Sequence, residues 1–331
     1  MSTTTKSPKK ILVAAYTAAK NVLPTYSHRF SPHKFILPQL FACLVLKTFL
    51  KTDYRGLTEW LRDCPDLCRT IGLVTVPHFT TLQKSSRYLL ALPNAQQLLQ
   101  QTLRMALQQP HIAQAAIDST GLEAGYTSYY FVLRRHVKGL SAYQSMLYAN
   151  YPKLTIVCDC SNHLILSVKT TRGPCPDMRM LIPTLQRVPA GITMDILLAD
   201  AGYDSETNHC YVRDSRKIQS IIPPRAGRRS NHLPRTKYRL QMKQQFNHRL
   251  YGQRAQVETV FSMIKRRWGS AVRAHGHEAQ SREMWLMGLT HNLAVFWLFI
   301  KLFYRAGQSQ FLLWHGRPRP CPLSFRPCLS F

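Results

Sequence analysis

Acidic side chains are what this sequence most lacks. Its 331 residues hold 16 Asp and Glu against 44 Lys and Arg, a formal charge of +28. That imbalance calls for a polyanionic partner, nucleic acid being the usual one, although charge alone does not separate DNA from RNA or an acidic membrane surface. Paired cysteine motifs are missing too. The nine cysteines (43, 64, 68, 158, 160, 175, 210, 321 and 328) are odd in number, with no CxxC among them. Free buried thiols in a reducing compartment fit better than zinc or disulfides. Long uninterrupted apolar runs are absent as well. Phe35–Leu50 is broken by Pro38, Gln39 and Lys47, and Leu286–Tyr304 by His291, Asn292 and Lys301, so neither makes a good membrane span. The opening MSTTTKSPKK lacks the features of a signal peptide. What is present is 45% hydrophobic residues, enough for a sizeable core.

The first third reads as mostly helical. Residues 1–52 contain no acid and eight Lys or Arg. A helix is expected from Lys9 to Leu23, another from Pro38 to about Leu50, and others over Leu57–Leu61, from Val76 onward and from Asn94 to Gln109. This lead-in suits packing, dimerisation or the binding of DNA ends. The texture changes at Ile112. Ala115–Thr120 is a short apolar strand that carries Asp118, and Leu154–Cys160 with Leu164–Thr171 reads as a hairpin about Ser161-Asn162-His163. Between them, Tyr126–Tyr151 is aromatic and basic. Asp177 is expected to cap a helix to about Val188, and Ile196–Ala199 is a strand with Asp200 at its carboxyl end. Asp204–Arg213 reads as helix and Ser220–Ile222 as a strand. From Arg216 to Arg254 there are eleven Lys or Arg, among them Arg228 and Arg229, and no acid, as expected of a segment that tracks phosphates.

Chemistry concentrates in Tyr251–Lys265 and the Arg266-Arg267-Trp268 that follows. Read as one helix, Val257, Val260, Phe261, Ile264 and Trp268 form an apolar stripe, and Tyr251, Arg254, Glu258 and Lys265 share the neighbouring face. Taken alone, Arg254 and Glu258 are an ordinary i,i+4 pair worth about 0.3–0.5 kcal/mol. Yet Glu258 is the only acid between Asp214 and Glu278. Asp118 and Asp200 have a plain alternative as turn residues, and Asp195 and Asp204 compete with Asp200. Asp200 is preferred because it follows the apolar run directly.

The spacing Tyr-xx-Arg-xxx-Glu-xxxxxx-Lys resembles the helix motif of DDE insertion-sequence transposases of the insertion sequence four group. Further likeness covers Gly173-Pro174 to Asp177, the LLADAGYDSE run, Pro223-Pro224-Arg225 and Leu289-Thr290-His291-Asn292, or roughly Ile112 to Phe303. The resemblance implies an α/β fold, with a ribonuclease H-like catalytic core over 112–306, a helical N-terminal domain over 1–111 and a basic, proline-rich, unstructured tail over 307–331. It implies Asp118, Asp200 and Glu258 as catalytic residues holding Mg²⁺ or Mn²⁺ as two ions, an all-oxygen set that suits hard cations. Tyr251, Arg254, Lys265, Arg266, Arg267, Arg228 and Arg229 are then expected on DNA. The implied partners are double-stranded DNA, as terminal inverted repeats and target, and a second copy of the chain. The implied setting is the nucleoid in a prokaryotic cytoplasm. One departure stands out: Ala255 occupies a place where relatives commonly carry a bulky aromatic, which predicts a change of packing. Two rival readings share the fold: a nuclease without strand transfer, and a DNA-binding relic without catalysis.

Overall fold

The computed structural model describes residues 4–107, 109–124, 151–225 and 233–314. The expectations for Arg228 and Arg229, and for all but the last residue of Tyr126–Tyr151, lie outside them. Six helices occupy the first third: Pro8–Lys20, Leu37–Phe49, Tyr54–Asp63, Pro65–Thr70, Phe79–Leu89 and Leu92–Ala106. Four of them carry a proline in the first turn, where its missing N–H costs nothing. Leu37–Phe49 is buried from Leu37 through Lys47, as befits a helix apolar on every side.

Seven strands follow among the described residues: β1 His111–Gly121, β2 Glu123–Ala124, β3 Pro152–Asp159, β4 Ile165–Arg172, β5 Thr193–Ala199, β6 Gln219–Ile221 and β7 Ala271–Val272. Five build one mixed sheet in the order β4-β3-β1-β5-β6. β4, β3 and β1 run antiparallel in turn, whereas β5 and β6 run parallel to β1. The hairpin expected about Ser161–His163 is present, with His163 at φ 62° in its turn.

Alternation along the strands sorts side chains between two cores. Ala116, Leu154, Ile156, Cys158 and Leu198 join the cluster that holds the N-terminal helices, the helix Ala255–Trp268 and the C-terminal helix His277–Trp314. Ile117, Val157, Leu197 and Ala199 face the opposite cluster with Leu181, Leu185 and Tyr203. The period of two then dictates where the aspartates go. Asp118, two residues past Ala116, and Asp200, two past Leu198, belong to the face covered by Ala255–Trp268.

Three elements depart from expectation. Asp177 caps no long helix. It opens a tight turn, Asp177–Arg179, before the five-residue helix Leu181–Leu185. Pro183 has no N–H to return to the carbonyl of Arg179, so an α-turn cannot form there. The Tyr251 helix is not continuous either: His248–Tyr251, a 3₁₀ turn Gly252–Arg254, and then Ala255–Trp268. Gly252, a poor helix former, sits at the break. The C-terminal helix passes through Gly307 to Trp314, beyond the point where the unstructured tail was expected to begin. One glycine costs a helix only about 1 kcal/mol, and the prolines that would stop it start at Pro318.

Candidate active site

The motif helix is anchored by the stripe its spacing predicts. Val257, Val260, Phe261, Ile264 and Trp268 are all buried. At about 1.5–3 kcal/mol for each large apolar side chain, that stripe is worth far more than any ion pair on the other face. Gly269, at φ 100°, ends the helix, and Lys51 Nζ donates to the Arg266 carbonyl at 2.9 Å, putting a cation at the negative end of the dipole.

At the other end of the helix Arg254 links two carboxylates, and a third ends the neighbouring strand. Ile117 of β1 pairs in parallel with Ala199 of β5, so Asp118 and Asp200 leave neighbouring strands side by side. Arg254, in the turn before the helix, lies across two acids: its guanidinium reaches Asp118 Oδ2 at 3.3 Å and hydrogen-bonds Glu258 Oε1. Burial pushes the Asp118 carboxyl up to about 6, and Asp200 and Asp177 add to that. The Ser119 backbone N–H, 2.7 Å from Oδ1, and Arg254 pull the other way. Tyr251 stands in the same field. Burial raises its phenol, Arg254 opposes, and Asp200 and Asp118 reinforce the rise.

Ser119 faces the other way, as alternation requires, and its hydroxyl bonds Thr155 Oγ1 at 2.8 Å and the Tyr203 hydroxyl at 2.7 Å. Tyr203 is fully buried and ends the short 3₁₀ turn that begins directly after Asp200. The turn that carries the second aspartate is therefore bolted to the strand that carries the first. Spacing gave no sign of this role; the only trace is an aromatic soon after a strand-end acid. Asp177 was also missed as a neighbour of the site. Lys153, itself buried, holds it at 2.7 Å and donates to the Cys175 carbonyl at 2.6 Å.

The remaining expected residues are distributed differently. Lys265 is half-buried and Arg266 exposed on the last turns of the helix. Arg267 is partly buried, and its guanidinium donates to the Thr5 carbonyl at 3.3 Å, tying the helix to the N-terminal segment. The basic run before the motif is not wholly without counter-charge. Arg239 forks on to Asp204 at 2.8–3.0 Å, and Glu206 accepts the backbone N–H groups of Tyr238 and Arg239. Those acids precede the run in sequence, so a window over Arg216–Arg254 does not see them. Ala255 is exposed at the start of its helix, so the small side chain there leaves no hole in the core.

His291 and Asn292 belong to the scaffold. Both are fully buried. Asn292 accepts the Ile165 N–H at 2.8 Å and donates to the Ile165 carbonyl at 2.9 Å, satisfying the edge of β4 as a further strand would. His291 Nε2 lies 2.8 Å from the His163 carbonyl, and burial holds its ring well below normal, to about 4. His163 in turn meets Gln256 of the motif helix at 2.8 Å.

Carboxylate oxygens on a partly buried, excess-negative face are donors for a hard divalent cation. A cationic side chain already spans two of the acids, and burial is the main cause that raises the Asp118 carboxyl, a cost to its charged form that a bound cation would offset. Among the described residues no three His, Cys, Asp or Glu side chains are yet grouped closely enough to hold an ion. Asp118, Asp200 and Glu258 are the set whose chemistry fits one. Among the described residues, no helix is long and apolar enough to cross a membrane.

Among curated proteins no match to the chain was found. The family model described as "Transposase DDE domain" matches residues 110–293, more than half of the sequence and the whole stretch from β1 to the scaffold asparagine. Acids from two adjacent strands and a covering helix thus fall inside one matched domain, and the chain belongs to the DDE-domain transposases, a family that acts on DNA and generally employs divalent metal ions.

Proposed function

We propose that this protein binds the ends of an insertion sequence, cleaves DNA there with the help of divalent metal, and transfers the freed 3′-ends to target DNA. The observation that carries the reading is Arg254 lying across Asp118 and Glu258, with Asp200 ending the strand next to that of Asp118. The strand order β4-β3-β1-β5-β6, with its antiparallel half and its parallel half, supports a ribonuclease H-like core, and the Tyr251, Arg254, Glu258 and Lys265 spacing supports the insertion sequence four group.

In this reading Asp118, Asp200 and Glu258 hold Mg²⁺ or Mn²⁺, which when bound polarises phosphoryl oxygen and favours deprotonation of a nucleophilic water or hydroxyl. Arg254 is released from the carboxylates to fork on to a phosphate, and Tyr251 keeps the guanidinium in place. Lys265 and Arg266 extend the phosphate contact down the helix as point charges. The Tyr203–Ser119 bond fixes the spacing of the two strand aspartates. The N-terminal helices contribute to end binding and to the pairing of two copies on two ends.

The test is incubation of the purified chain with DNA carrying its gene's own flanks, with Mg²⁺ and then Mn²⁺, beside Glu258→Gln. Metal-dependent cuts at repeat ends and joined products, both lost in the variant, are expected. Cuts without joining would reduce the activity to that of a nuclease. Binding without any cut by the unmutated protein would leave only a DNA-binding relic.

A further inference from the structure

A buried lysine opens on to a cleft that the site above does not use. The cleft, about 370 Å³, lies between the N-terminal helices and the start of the C-terminal helix. Its lining includes Lys47, Tyr54, Arg87, Arg273, Arg282 and Glu283. Lys47 is only 6% exposed, and its ammonium lies over the Tyr54 ring at 4.9 Å; among the described residues it has neither a hydrogen-bond acceptor nor a carboxylate in ion-pair range. Burial pulls its ionisation down, with Glu283 opposing.

The acids of the cleft are engaged with backbone. Glu283 accepts the N–H groups of Arg273 at 2.7 Å and Ala274 at 3.4 Å, and Asp53 accepts that of Gly56 at 2.6 Å. The guanidinium of Arg273 donates to the Lys51 carbonyl at 3.0 Å, a neutral group. Among the described residues Arg282 has only Glu278 as an ion-pair partner, 3.8 Å away with a side chain 93% exposed. Arg87 is exposed at the rim. Four cations thus surround a space that holds two acids, each bonded to backbone N–H groups, and among the described residues the most buried of the four has the Tyr54 ring but no hydrogen-bond acceptor or ion-pair partner. That is the charge complement of a phosphodiester.

A smaller cavity shares Lys47, Arg273 and Glu283 and reaches Lys51 and Trp268, at the end of the motif helix. Glu258 and Trp268 are ten residues apart on that helix, about 15 Å at its rise per residue. Along one DNA strand that corresponds to about four to five nucleotides.

We propose that this cleft, together with the smaller cavity that joins it to the motif helix, is a second DNA contact, which takes backbone phosphates about four to five nucleotides from the reacting bond, with Lys47 at its floor and Arg87, Arg273 and Arg282 at its rim. The identity of the anion as DNA rests on the transposase reading.

The experiment measures binding of the full chain to a labelled duplex bearing the gene's flanks, without divalent metal, across a salt series. Ethylation interference on the same duplex maps the phosphates used. Arg87→Ala combined with Arg282→Ala changes only rim residues; Lys47→Met tests the floor, with thermal melting as a check on folding. The rim pair is expected to lower the slope of log affinity against log salt by about two, and Lys47→Met by about one. Interference four to five nucleotides from the cut is expected to vanish with the rim pair. An unchanged slope and pattern in the rim pair, with normal cutting by the unmutated protein, would overturn the cleft assignment and leave the transposase reading intact. Binding of inorganic tripolyphosphate that depends on Lys47, with the DNA slope unchanged, would assign the cleft to a free anion and overturn it as well. Failure of the unmutated chain to bind DNA at all would sink both readings.

Discussion

The two ends of the Ala255–Trp268 helix follow opposite rules. At the Trp268 end polar groups hold the scaffold together: Lys51 caps the helix, and the nearby His291 and Asn292 complete the hairpin and the edge of β4. At the Glu258 end one guanidinium is divided between half-buried Asp118 and exposed Glu258, and Asp200 ends the strand beside that of Asp118. Packing determines the first arrangement. The second holds charge that the protein alone does not neutralise, which is where chemistry is expected.

The contrast is broken most sharply by Glu258→Gln or Asp118→Asn. Either should lower cleavage about a thousandfold or more, with the thermal midpoint unchanged or higher, because each removes charge from a like-charged cluster. A comparable drop in midpoint would show these carboxylates to be structural. Asn292→Ala should do the reverse. It leaves the N–H and carbonyl of Ile165 buried without partners, at a cost of about 2–4 kcal/mol in urea unfolding, while cleavage well below the melting point persists.

The pH dependences also oppose each other. Asp118 is held up to about 6, so its folded form keeps a proton the unfolded chain has released; stability from this group is lost as pH rises from about 4 through 6. Metal binding needs the ionised form and itself favours it, so metal-dependent cleavage should fall on the acid side with a midpoint at or below about 6. Asp118→Asn cannot test this, being inactive; the probe is Arg254→Ala, which removes a group that pulls the carboxyl down and should move the acid limb to higher pH. No movement would show that Arg254 does not govern that charge. His291 is held to about 4, so its stabilisation is complete above the ordinary histidine range, near 6.5, and is lost as pH falls toward 4. His291→Asn or His291→Gln should flatten stability across that window, the smallest of these effects.

Part of the fold was legible in the sequence. Asp118 and Asp200 follow short apolar strand runs, and alternation brings the two aspartates to one face of the sheet; the stripe Val257 to Trp268 is buried as its spacing predicts. The helix break at Gly252 was not legible, because one glycine inside a strong pattern usually survives. Nor were the bonds from Ser119 to Tyr203 or from Asn292 to Ile165. They join residues 84 and 127 apart in the chain, and a hydroxyl or amide buried by tertiary contact has no periodic signature.

The amide of Asn292 has a bearing on assembly. By occupying both hydrogen-bonding groups of Ile165, it closes the exposed border of β4 at that point, and the C-terminal helix that carries it lies along the same border. A neighbouring molecule that adds its own strand there must first displace that amide. If two copies of the chain are to act on two DNA ends, a bridge made of strands is left to the β6 side, and any bridge on the β4 side must be built from helices, from loops or from the DNA itself.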